Sequence, residues 1–250
     1  MRPQMAGRKK KKVNENEVIS LREDMMVLTK IRLNTFVLIT TLFGYILASM
    51  TLHQVWVFDW WKLFHTILGT AAVAFGSAAF NQLMEIQQDS QMKRTANRPL
   101  PSKRMNVVTA FGVAWILSAF GVIHLSATVN PGSAYLAAIT SGIYVFIYTP
   151  MKRRSSSNTL VGAIPGAIPP VIGWVAAGGS WNDGQAWYLF ALLFLWQLPH
   201  FVAINWLCRE EYEDAGYIMW SNGDVSGKKT ARLALIFSAC LAALAPLAAL

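Results

Sequence analysis

Seven runs of about twenty predominantly apolar residues dominate this chain, each long enough to cross a hydrocarbon core of roughly 30 Å as a helix. They lie at 33–52, 63–83, 106–125, 132–150, 159–179, 186–206 and 231–250. Backbone inside lipid has no water to bond with, so only helices and closed barrels can cross it. No alternating pattern of about ten residues runs through the sequence, which argues against an outer-membrane barrel. The expected fold is therefore all-α, a polytopic transmembrane helical bundle. Composition agrees, since 14% of residues are charged against roughly a quarter in soluble domains. One membrane domain over 33–250 is expected, preceded by a basic cytoplasmic segment over 1–32.

Charge placement gives the orientation. With the N-terminus inside, Lys and Arg on that side number nine through Arg32, five in 84–105, three in 151–158 and four in 207–232. That is 21 of 22, with Lys62 the exception, so the N-terminus is expected on the cytoplasmic side. The net charge of +9 then reports topology and contact with anionic lipid, and gives no reason to expect nucleic acid. The basic run at 8–12 reads as a lipid-surface segment. Glu15, Glu17, Glu23 and Asp24 follow it, unlike a mitochondrial transit peptide, which points to a bacterial inner (plasma) membrane. Cys208 and Cys240 suggest neither a metal site nor a disulfide. Trp56, Phe58, Trp60, Trp61 and Trp181 read as interfacial anchors.

The chemistry gathers at the inner ends of the spans. Asn81, Glu85 and Asp89 are spaced i, i+4, i+8 and would share one stripe of a continuing helix, ended by Pro99. Stacked oxygen ligands suit a hard cation such as Mg²⁺, and ionisable groups against an apolar span are usually functional. Arg94 and Arg98 follow, able either to pair with these acids or to grip phosphate oxygens. A second acidic cluster, Glu210, Glu211, Tyr212, Glu213 and Asp214, lies on the same membrane face. Glu210 or Glu211 could act with Asp214 as further metal ligands, or the loop could be merely hydrophilic. Tyr148, Lys152 and Arg153 end the fourth span on that face and add cations. His200 sits within an apolar span. His53, His65 and His124 lie toward the outer face and read as structural.

These segments resemble the UbiA superfamily of membrane prenyltransferases, and within it the branch that acts on haem. Asn81, Glu85 and Asp89 fit N-x-x-x-D-x-x-x-D, with Glu for the first Asp. Met92 to Leu100 resembles M-x-R-T-x-x-R-P-L, and Tyr148, Thr149, Lys152 and Arg153 resemble Y-T-x-x-L-K-R. Trp196-Gln197-Leu198-Pro199-His200-Phe201 matches W-Q-x-P-H-F. In the second acidic motif Glu211 stands for Asp and Ile218 for Pro.

The resemblance implies transfer of a farnesyl group from farnesyl diphosphate to a vinyl group of protohaem IX, giving haem O for terminal oxidases. In that reading Asn81, Glu85, Asp89, Glu211 and Asp214 hold Mg²⁺. Arg94, Arg98, Lys152 and Arg153 meet the diphosphate, Tyr148 and Tyr212 bind substrate, and Trp196 and His200 line the haem pocket. Haem A synthase or the oxidase assembly would be partners beside the lipid bilayer. The family has about nine helices, so the chain reads as incomplete at its C-terminus. Alternative readings are a prenyltransferase for a quinone precursor, or a non-catalytic oxidase assembly factor or transporter.

Overall fold

Ser20 caps the first helix. Its hydroxyl accepts from the Glu23 amide at 3.3 Å, while Glu23 Oε2 accepts from the Ser20 amide at 2.8 Å, so two otherwise orphaned donors are satisfied together. α1 (Leu21–Leu28) follows. The computed structural model describes residues 20–52 and 58–246. The basic run at 8–12, Glu15, Glu17, His53, Trp56 and the last four residues of the seventh predicted span lie outside them.

All described elements are helical. Six stretches are long and apolar enough to cross a membrane, and they correspond to the first six predicted spans. They are α2 (Ile31–Leu52), α3 (Trp60–Met84), which is followed by the short α4 (Ile86–Gln91), α5 (Val107–Thr128), and three more. The fourth, Pro131–Met151, is composite: α6 (Pro131–Gly142), a π-helical segment (Ile143–Tyr148) and α7 (Thr149–Met151). The fifth divides at Ile168 into α8 (Asn158–Ala167) and α9 (Pro169–Ala176), because prolines 169 and 170 bring no amide hydrogen to a continuing helix. The sixth is α10 (Gly184–Leu207). After α11 (Arg209–Asp214), the described part of the seventh predicted span forms α12 (Lys228–Leu244).

Small residues let the helices approach. A Cβ on Gly44 would fall 1.9 Å from the Pro170 carbonyl oxygen, and one on Gly173 would fall 2.0 Å from that of Thr41. Backbone thus meets backbone between α2 and α9, the packing expected where lipid supplies no hydrophobic drive between helices.

Two expectations change. Residues 20–30, assigned to a segment preceding the membrane domain, pack into the bundle. Leu28 has no exposed surface and clusters with Ala79, Leu100, Met105, Ala110 and Ala114, while Asp24 forms an ion pair with Arg104 at 2.8 Å. The helix expected to run from Asn81 to Pro99 is also interrupted. α3 stops at Met84, Glu85 (φ −110°, ψ 12°) separates it from α4, and turns occupy 92–105. Thr95 Oγ1 donates to the Asp89 carbonyl at 2.9 Å and Arg98 folds back onto the Asp89 carboxylate. These contacts outweigh the helix propensity of the segment.

Candidate active site

The break at Glu85 points successive carboxylates into one cavity of about 950 Å³ at the ends of the helices. Glu85 Oε1 accepts from Lys152 Nζ at 2.7 Å, and Asp89 Oδ2 accepts from Arg98 Nη1 at 2.6 Å. Both carboxylates are almost entirely buried, so each needs its cation. Burial works against ionisation of Glu85, but Lys152 and then Lys30 overcome it and hold the carboxyl below its ordinary value. Burial likewise opposes the charge on Lys152, and Glu85 reverses the balance, so that ammonium titrates well above the usual lysine range.

Asn81 stands behind this pair with no exposed surface. Its Nδ2 donates to Thr149 Oγ1 at 3.0 Å, and its Oδ1 accepts from Lys30 Nζ. Lys30 also donates to the Tyr144 hydroxyl at 3.3 Å. Burial, reinforced by Arg98 and Lys152, pushes the Lys30 ammonium down to about 7.

A second cavity of about 920 Å³ lies deeper among the spans and is mainly apolar, lined by residues such as Val73, Ala137, Ile172, Leu192 and Leu193. Trp196 and His200 lie on its exposed rim with their rings stacked 6.2 Å apart. Gln197 is held inside, its Nε2 donating to the Ala163 carbonyl at 2.7 Å. The two cavities share Lys30, Leu33, Tyr144, Tyr148 and Phe201. The π-helical segment supplies both tyrosines, whose rings stack at 5.6 Å.

Of the residues singled out in the sequence, Glu85, Asp89, Arg94, Arg98, Tyr148, Lys152 and Tyr212 line the polar cavity together. Arg94 reaches the Tyr212 hydroxyl at 3.4 Å. Arg153 and Asp214 are exposed and are not part of the cavity wall. Glu211 is half-buried, and its Oε2 is enclosed without a hydrogen-bond partner. Sequence reasoning missed Lys30, Tyr144 and Tyr217. Lys30 resembled one more topology charge, and a π-helical turn has no pattern that would have set Tyr144 apart. Tyr217 lies over Lys152, its ring centroid 5.7 Å from Nζ.

The cations of the polar cavity (Lys30, Arg32, Arg94, Arg98 and Lys152) outnumber its carboxylates (Glu23, Glu85 and Asp89), as a site for a polyanion requires. Glu85 and Asp89 offer the cavity carboxylate oxygens, the kind of donor that Mg²⁺ prefers, whereas Asn81 and Glu211 are not part of its wall. Among the described residues, no three acidic, His or Cys side chains converge tightly enough to form a metal cluster by themselves. Substrate oxygens would have to complete the coordination.

Residues 37–250 match the model of the UbiA prenyltransferase family. The chain belongs to that family. This UbiA-family chain is thus a multi-pass membrane prenyltransferase. It is 46% identical over 224 residues to the protoheme IX farnesyltransferase of Solibacter usitatus, covering 87% of this chain and 76% of that one. It is 38% identical over 230 residues to the protoheme IX farnesyltransferase of Koribacter versatilis, covering 90% and 71%. A UbiA homologue from Archaeoglobus fulgidus, solved bound to DMAPP and Mg²⁺, shares the fold with a TM-score of 0.70 at 15% identity, over 88% of this chain and 76% of that one.

Proposed function

We propose that this chain transfers the farnesyl group of farnesyl diphosphate to a vinyl group of protohaem IX, forming haem O. The observation that carries the reading is the junction of a cationic cavity with an apolar one across Tyr144 and Tyr148. A prenyl diphosphate has that same division between head and tail. The identity to the farnesyltransferases of Solibacter and Koribacter supports haem as the acceptor.

Arg94, Arg98 and Lys152 grip the diphosphate oxygens, with the tyrosines 148 and 212 beside them. Glu85 and Asp89, with Asn81 behind them, would hold Mg²⁺, as the cation bound to the Archaeoglobus homologue supports, and it would supply positive charge against the departing diphosphate. The C1–O bond breaks with both electrons remaining on the diphosphate. The vinyl π electrons then form the new C–C bond to C1. Water adds to the resulting porphyrin-stabilised cation and releases one proton, leaving a hydroxyethylfarnesyl group. Haem, farnesyl diphosphate and water thus give haem O, diphosphate and a proton. The apolar wall keeps water from the allylic cation before the vinyl group reaches it. Trp196 and His200 at the rim orient the porphyrin. The enzyme resides in the plasma membrane with its N-terminus cytoplasmic, and its product feeds terminal oxidases.

The test is haem extraction from a synthase-deficient strain expressing this chain or its Asp89→Asn variant. Haem O from the unaltered chain and none from the variant is expected. Prenylation of a quinone precursor with no haem O would overturn the choice of acceptor.

A further inference from the structure

Lys30 differs from the other described basic residues near the N-terminus in where the fold sends it. It occupies the turn between α1 and α2 with φ 48°, a left-handed conformation that residues with a side chain rarely adopt. Such backbone persists only where surrounding structure over-determines it, and here the contacts are plain. Gln82 Nε2 donates to the carbonyls of Val27 at 2.7 Å and Leu28 at 3.0 Å, Asp24 is paired with Arg104, and Leu28 is wholly buried. α1 is thereby pinned on α3, and the turn aims the ammonium inward at Asn81 Oδ1 and the Tyr144 hydroxyl. Among the described residues Lys30 is the one cationic side chain on the wall common to both cavities; Arg94, Arg98 and Lys152 line the polar one alone.

A prenyl diphosphate with its head in the polar cavity and its chain in the apolar one crosses that common wall at C1 and the oxygen attached to it. We propose that Lys30 binds the substrate there, its ammonium turning from Asn81 to the diphosphate oxygen joined to C1. As the C1–O bond breaks, both electrons stay on that oxygen, and Lys30 stabilises the new charge by hydrogen bonding while keeping its own protons. Asn81 remains anchored through Thr149 when Lys30 leaves it. This assignment rests on the prenyl-transfer reading of the site.

The test uses the full chain in detergent, with inorganic pyrophosphate and farnesol as separate probes. Loss of a charged hydrogen bond in Lys30→Met is expected to weaken pyrophosphate binding by about tenfold or more, with farnesol binding unchanged and Lys30→Arg recovering most of the loss. Pyrophosphate binding by Lys30→Met within about twofold of the unaltered chain would overturn the role of Lys30 alone. An unaltered chain that binds no pyrophosphate would overturn the diphosphate site and Lys30 with it. Should Lys30→Met fail to fold, amine acylation of the unaltered chain decides the matter. Pyrophosphate is expected to protect Lys30 from the reagent, and equal labelling with and without it counts against the proposal.

Discussion

Lys152 Nζ meets Glu85 Oε1 at 2.7 Å, joining the loop after the fourth span to the break that ends α3. Two elements 67 residues apart are locked by one largely desolvated ion pair, which both shapes the polar cavity and depends on it.

Removing one partner of such a pair strands the other charge. Glu85→Gln and Lys152→Met are each expected to cost about 3–5 kcal/mol, while the double variant loses much less than the sum. Thermal unfolding of the four proteins in one detergent tests this, and additive losses would mean that the contact carries no coupling. Haem O formation should fail in all three variants, because restored stability does not restore the charges that the diphosphate needs.

Asp89 is paired with Arg98 and almost fully buried, and its replacement by Asn removes a charge without changing shape. Haem O formation by Asp89→Asn is expected to fall by about two orders of magnitude or more. Chelation of divalent metal should abolish activity in purified membranes, and added Mg²⁺ should restore it. Full activity after exhaustive chelation would remove the metal from the reading.

The first six spans were legible because about twenty apolar residues in succession have few physical alternatives. Glu85, Asp89, Arg94, Arg98 and Lys152 were legible because charge beside such spans is costly and concentrates at one membrane face. The interruption at Glu85 was hidden: an i, i+4, i+8 spacing fits a continuous helix equally well, and only contacts from Lys152 and Arg98 settle the matter. Lys30 was hidden for a different reason. A basic residue before the first span is what orientation alone would demand, and its inward aim depends on the docking of α1 by Gln82, some fifty residues away.

Gly166 leaves room for Gln197: a Cβ there would fall 2.2 Å from Gln197 Oε1. Gly166→Ala is expected to displace Gln197 from the Ala163 carbonyl and to cost about 1–3 kcal/mol of stability through overpacking. Because the crowding falls in the apolar cavity that would take the prenyl chain, farnesol binding should weaken while pyrophosphate binding stays unchanged. Equal effects on both would show that the two cavities deform as a unit.

Asp24 is buried and bonded to Arg104 through three contacts of 2.8 to 3.2 Å. Asp24→Asn should loosen α1 and expose the Thr29–Lys30 turn to limited proteolysis, at sites that resist cleavage in the unaltered chain. Since α1 positions Lys30, pyrophosphate affinity is expected to fall in parallel. Loosening without any fall would separate helix docking from substrate binding.

The rim of the apolar cavity carries Phe36, Ile39 and Trp196, all large and all exposed on the outside of the bundle, where the acyl chains would lie. A prenyl tail entering sideways from the bilayer would then bypass water, and the enzyme would meet its donor on a surface. Turnover should then follow the mole fraction of farnesyl diphosphate in the membrane or micelle. Adding inert detergent at constant total substrate should slow the reaction by dilution in two dimensions, with no inhibitor present.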